Sequence, residues 1–218
     1  SKDSNHIAYM RFDESKVPLF SMDVYGRETY PFPYMFRYPK AGEENSTITL
    51  YTFNLQSGSK ETILFQDKPY YIPRIKFEGG EKSLIIQTLN RHQNDLKLWR
   101  WDIEKKEFQL LLREQDKAYV SIYDDLIFLE DNSFLWTSER DGYKHIYHYD
   151  KNGKLLKQLT NGNWEVTSLY TFNQNTKEVY YQSVEGSSIE RGIYAIKLSG
   201  EGKRKLQPSK GTHGATVS

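Results

Sequence analysis

The chain has 218 residues, no cysteine and a formal net charge of +1, from 30 Lys and Arg against 29 Asp and Glu. That balance, without a concentrated basic run, leaves no footprint for a nucleic-acid partner. The missing thiols exclude a disulfide framework, a thiolate metal site and a cysteine nucleophile. No apolar run approaches a membrane span. Aromatic residues make up 15% of the chain, 17 of them Tyr, and such side chains favour strands because a flat ring packs on a pleated face. The chain opens on Ser1 with no signal peptide, so the expectation is a processed or excised piece whose address was lost with its N-terminus.

The first strand signal is HIAYMRF (6–12). A long irregular stretch follows over 13–46, carrying Pro18, Pro31, Pro33 and Pro39 among many aromatics, and then a hairpin pattern, LYTFNLQSGSKETIL (50–64). Next come YIPRIKF (71–77), SLIIQTL (83–89) and a second hairpin pattern, LKLWRWDIEKKEFQLLL (96–112). The order then repeats as DDLIFLE (124–130), SFLWTSE (133–139) and HIYHYDKNGKLLKQLT (145–160). It repeats again as VTSLYTF (166–172), EVYYQSV (178–184) and GIYAIKLSGEGKRKLQ (192–207), leaving a tail over 212–218. Turn signals such as Gly79-Gly80, Asp141-Gly142 and Asn152-Gly153 separate the strands.

Tyr51, Trp99, Tyr147 and Tyr194 occupy matching positions at steps of 48, 48 and 47 residues. Four short antiparallel strands per unit of that length are the signature of a β-propeller blade. A β-sandwich also uses short alternating strands but requires no fixed repeat. No stretch sustains a helical period. The expected fold is therefore all-β: about four four-stranded antiparallel blades of a larger propeller. Their approximate bounds are 1–64, 70–112, 118–160 and 164–207, with the insertion 13–46 in the first.

On a repeat scaffold, function gathers where the repeat is broken. The insertion reads either as a surface loop covering a blade edge or as an interaction arm. In the second case Phe20, Tyr25, Tyr30, Phe32, Tyr34 and Phe36 form an exposed apolar patch that wants a partner. Catalytic chemistry is hard to find. There is no G-x-S-x-G elbow for a serine nucleophile, and Ser59, Ser187, Ser188, Ser199 and Ser209 read as turn residues. His145 and His148 sit three apart on a strand and so face opposite ways, which suits no metal site. The adjacent carboxylates Asp13/Glu14, Glu43/Glu44 and Asp124/Asp125 read as solvated surface. No phosphate loop or dinucleotide fingerprint is present, so no catalytic residue, cofactor or metal is assigned. The repeat leaves three classes open: an exopeptidase propeller, a non-catalytic protein-binding scaffold, and a propeller glycosidase.

The words within the repeat carry a resemblance. RFDESKVPLF (11–20), RYPKAGEENSTITLY (37–51), LNRHQN (89–94), SERDGYKHIYHYD (138–150) and LTNGNWEV (159–166) are similar, in order, to the N-terminal propeller of dipeptidyl peptidase IV-type serine peptidases, particularly bacterial members. The resemblance implies an eight-bladed propeller capping a C-terminal α/β-hydrolase domain of the same parent chain. It implies a serine-type dipeptidyl aminopeptidase that takes peptides with a free N-terminus and releases Xaa-Pro and Xaa-Ala dipeptides. This chain alone is then inactive, and the family's substrate-binding glutamate pair falls just upstream of Ser1. It further implies homodimerisation through an arm over 21–41, to which Tyr38 is added, and an aromatic side chain at the substrate's second position, for which Tyr123 in AYVSIYDD (118–125) is the match. A periplasmic or cell-surface location follows from the same resemblance.

Overall fold

The computed structural model describes residues 1, 5–79 and 82–217. Gly80 of the expected Gly79-Gly80 turn and Ser218 of the tail lie outside the described residues. Within them every regular element is a strand. The chain divides into two compact units, Ser1–Ile72 and Pro73–Ser218.

In the first unit β1 (His6–Asp13) pairs antiparallel with β4 (Thr47–Asn54), which pairs with β5 (Lys60–Ile63). Tyr9 faces Tyr51 across the β1–β4 ladder, the rings stacked 5.2 Å apart. Such cross-strand pairs are the unit of sheet stabilisation. The long insertion is a β-hairpin of its own, β2 (Leu19–Val24) with β3 (Phe32–Arg37). Its base is fixed where Tyr38 N–H donates to Pro18 O (3.0 Å) and Arg37 Nη1 donates to Val17 O (2.5 Å).

Three four-stranded antiparallel sheets follow, each meandering in sequence order. The first is β6 (Tyr71–Phe77), which runs over the unit boundary, then β7 (Ser83–Leu89), β8 (Asp95–Asp102) and β9 (Glu107–Gln115). The next is β10 (Leu126–Phe128), β11 (Phe134–Ser138), β12 (His145–Tyr149) and β13 (Leu155–Gln158). The last is β14 (Val166–Asn173), β15 (Glu178–Ser183), β16 (Gly192–Lys197) and β17 (Arg204–Lys205). Consecutive four-stranded meanders packed one on the next make propeller blades. Trp99, Tyr147 and Tyr194 lie on the third strand of their blades and pair with Ile86, Trp136 and Tyr181.

The middle strands carry the core. In β7 all but the first residue are buried, and β11 and β12 are buried throughout. A strand covered on both faces carries apolar residues at successive positions, as Leu84, Ile85 and Ile86 do in β7. One cluster joins the last two sheets through Leu135, Ile146, Val166, Val179, Tyr181 and Ile196, each such side chain worth ~1.5–3 kcal/mol when fully buried. The first and second four-stranded sheets are tied where Arg100 Nη1 donates to Lys151 O (2.5 Å) and where the Asn152-Gly153 turn meets β9. Gly153 has φ 87°, and a Cβ there would lie 1.8 Å from Leu111 O. Only glycine fits so close an approach.

Candidate functional site

Between β9 and the turn joining β11 to β12 lies a recess of about 240 Å³. Three segments line it: Arg113 to Asp116 at the end of β9, the irregular stretch carrying Tyr119, Val120, Ser121 and Tyr123, and Glu139 with Arg140. The irregular stretch has no ladder to hold it and is fastened piecemeal. Asp116 Oδ1 accepts from Ala118 N–H (2.7 Å), Val120 N–H donates to Gln93 O (2.8 Å), and Ser121 Oγ donates to Glu139 Oε2 (2.8 Å).

The guanidinium groups on the recess wall are paired. Arg140 Nη2 donates to Glu114 Oε1 (2.7 Å), which also accepts from Trp136 Nε1 (2.9 Å). Arg140 lies 4.5 Å from the Tyr147 ring centroid. Arg113 forks onto Asp95 (2.7 and 2.8 Å), and that hydrogen-bonded guanidinium holds the Asp95 carboxyl below its ordinary range. Burial pushes the Tyr123 phenol up to about 12; Ser121 pulls against this and the Glu139 carboxylate adds to it. Tyr123 is therefore a neutral donor with a half-buried ring at neutral pH. An aromatic face, a carboxylate and a guanidinium around one recess can receive a peptide-like ligand by stacking and hydrogen bonding.

The ring of Tyr123 is itself gripped. Lys144 Nζ sits 3.8 Å from its centroid and 2.5 Å from Asp125 Oδ2. Asp125 Oδ2 also accepts from Thr137 Oγ1 (3.0 Å), and Oδ1 accepts from Leu169 N–H (3.3 Å). The expectation that Asp124/Asp125 are solvated surface holds for Asp124, which is exposed against Arg74, and fails for Asp125. A residue just ahead of a strand is drawn inward when a buried cation waits there, and Lys144 is 6% exposed. Sequence reading passed over Lys144; its only signal was a Lys inside SERDGYKHI, directly ahead of the strand HIYHY, which carries no Lys, Arg, Asp or Glu.

No catalytic constellation assembles around the other candidates. Ser209 Oγ and His213 Nε2 are 3.4 Å apart, but the same nitrogen meets Lys210 O at 3.3 Å. A base needs its second nitrogen oriented by a third group, and this contact does not supply one. His145 lies buried between Thr160 Oγ1 (3.2 Å) and Gly162 O (3.0 Å), and His148 against Ser133 Oγ (3.1 Å). Among the described residues no three His, Asp or Glu side chains gather as a metal site.

The arm residues divide. In the β2–β3 register Phe20 faces Phe36, Met22 faces Tyr34 and Val24 faces Phe32, so one face of the hairpin is apolar throughout. Phe20, Tyr34, Phe36 and Tyr38 form a chain of ring contacts with centroids 5.6–6.0 Å apart, and Lys40 Nζ lies 4.1 Å over Phe20. Tyr25 and Tyr30 stand apart at the hairpin tip, 79% and 81% exposed. The sequence showed the aromatics but hid the hairpin, because Pro31 and Pro33 mask the alternation. Pro33 is tolerated in a two-stranded ribbon, whose strands each keep a free edge.

The family described as Dipeptidyl peptidase IV (DPP IV) N-terminal region matches residues 1–218. The crystal structure of Porphyromonas gingivalis dipeptidyl peptidase 4 superposes with a TM-score of 0.90 at 39% identity, covering 97% of this chain and 30% of that one. The dipeptidyl peptidase 4 of Trichophyton rubrum is 27% identical over 212 residues, covering 90% of this chain and 27% of that protein. That of Trichophyton equinum is 26% identical over 211 residues with the same coverage, 90% and 27%. The chain thus spans between a quarter and a third of the length of these relatives.

Proposed function

The chain belongs to the dipeptidyl peptidase IV N-terminal region family, and from that premise we propose that it is the non-catalytic propeller portion of a serine exopeptidase releasing Xaa-Pro and Xaa-Ala dipeptides. The observation that carries this reading is the recess. Tyr123, Glu139 and Arg140 meet there on a blade scaffold similar throughout to a dipeptidyl peptidase 4. In this reading the propeller is half of an eight-bladed ring and orients a peptide with a free N-terminus. A C-terminal α/β-hydrolase domain of the same parent supplies the nucleophile, base and oxyanion hole. The Tyr123 ring packs against the substrate's second residue.

The test uses the full-length parent protein and Gly-Pro-p-nitroanilide, with its N-terminally blocked form as control. Cleavage of the free-amine substrate alone supports the reading. Cleavage of neither overturns it and leaves the propeller a binding scaffold. Tyr123→Ala is expected to raise KM about 10-fold, the scale of losing one aromatic contact, with kcat little changed.

The β2–β3 hairpin completes the proposal. Its apolar face, with Met22, Phe32, Tyr34 and Tyr38 all about half exposed or more, suits a twofold contact between copies of the parent, in which the same patch meets itself. Removing residues 21–41 from the full-length protein is expected to convert a dimer to a monomer in sedimentation; a dimer that survives the deletion contradicts this part. The same reading, resting on the family resemblance alone, puts the parent at the periplasm or cell surface, and cell fractionation checks it.

A further inference from the structure

Tyr123 sits on the irregular stretch between β9 and β10, where no ladder hydrogen bond fixes the chain. Ser121 and Val120 are fastened by their own contacts, and Ser121 and Glu139 meet the Tyr123 phenol at its hydroxyl end. The face of the ring is met by Lys144. Its ammonium is 7% exposed as a side chain, lies 3.8 Å from the ring centroid and 2.5 Å from Asp125 Oδ2. Asp125 in turn is pinned from β11 by Thr137 Oγ1 and from β14 by Leu169 N–H. Two sheets therefore hold one carboxylate, the carboxylate holds one cation, and the cation holds one ring.

A buried ion pair is weak evidence for stability, since apolar residues of similar volume serve as well. Its value lies in geometry: an ammonium caught between a fixed carboxylate and a ring face leaves the ring one favoured orientation. We propose that Lys144, anchored by Asp125, is a positioning residue that holds the Tyr123 ring at the recess and so sets affinity for the substrate's second residue. The proposal rests on the reading of the recess as substrate-facing. Lys144 does not line the recess; it acts through Tyr123.

The experiment is steady-state kinetics of the full-length parent on Gly-Pro-p-nitroanilide. Lys144→Met, which keeps length and volume but loses the charge, is expected to raise KM several-fold, up to the roughly 10-fold of Tyr123→Ala, with kcat nearly unchanged. Lys144→Arg, which keeps a cation over the ring, should restore most of the affinity. The double variant Tyr123→Ala/Lys144→Met should be no worse than Tyr123→Ala alone, because the two act as one unit. Arg100→Met, which breaks the comparably buried pair with Glu78 away from the recess, should leave KM unchanged. If Lys144→Met does not fold, Asp125→Asn carries the same test by removing the charge that anchors the ammonium. If Tyr123→Ala raises KM while Lys144→Met and Asp125→Asn do not, the positioning role is wrong and the recess reading stands. If Tyr123→Ala leaves KM unchanged, the recess reading itself fails and takes the inference with it.

Discussion

Two hairpins of similar chemistry meet opposite fates in this chain. β2–β3 carries Phe20, Met22, Phe32, Tyr34 and Phe36, and β11–β12 carries Phe134, Leu135, Trp136, Tyr147 and Tyr149. Every residue of β11 and β12 is buried, while β2 and β3 contain no buried residue. The difference does not lie in the apolar content of the strands. β11 and β12 are the middle strands of a four-stranded sheet, whose cluster with the next sheet includes Leu135 and Ile146. The β2–β3 ribbon stands as a sheet of two. An isolated two-stranded ribbon is marginal in water, and this one gains from ring-to-ring contacts along a single face. The same kinds of side chain thus build a core in one place and an exposed apolar face in the other.

That contrast is open to direct attack. The largest effect is expected from Trp136→Ala, which empties a site 1% exposed and strips Glu114 of a donor. A loss of about 3–5 kcal/mol is expected, read as a lower denaturant midpoint. A loss below about 1 kcal/mol would mean the blade is less tightly packed than its burial indicates. Next comes Gly153→Ala, whose Cβ would meet the Leu111 backbone at a φ of 87°. The cost should be about 1–3 kcal/mol, and an unchanged midpoint would show that β9 and the turn can separate freely.

A smaller effect is expected from pH. Burial lowers the pKa of His148 below its ordinary value, with Asp131 pulling the other way. The folded state therefore holds fewer protons than the unfolded chain just below about pH 6.5, the ordinary histidine value. Stability from this group is complete above that pH and declines as pH falls toward the folded pKa. Denaturant midpoints at pH 7.5 and pH 5.0 should differ in that direction, and His148→Gln should reduce the difference. The smallest effect belongs to the hairpin tip. Tyr25→Ser with Tyr30→Ser should change stability by no more than about 0.5 kcal/mol, as for other exposed positions, and a larger loss would place those rings in a core.

Much of the architecture was legible without coordinates. The steps between Tyr51, Trp99, Tyr147 and Tyr194 fixed a four-strand unit because each blade must bury its middle strands against neighbours of the same length. SLIIQTL announced a strand, and Asn152-Gly153 announced a turn. The site was only partly legible. Tyr123 could be picked out as an aromatic by local likeness, but its neighbours in the recess come from residues 113–116 and 139–140, on other elements. Asp125 looked like surface because local sequence cannot show a cation arriving from a turn 19 residues later, at Lys144.

The sequence by itself determined what is periodic: strand order, blade length, the position of the break in the repeat, and the family. These are local properties, written in alternation, turn residues and short motifs, and they need no knowledge of what lies across space. The tertiary structure alone decided that the insertion folds into a ribbon with one apolar face, that Gly153 lies against Leu111, and that Lys144 stands between Asp125 and the Tyr123 ring. Each of these depends on burial, and burial is a property of which surfaces meet. A lysine is a solvated charge or a buried clamp according to whether a carboxylate and a ring close over it, and only the packed blades bring both to the same ammonium.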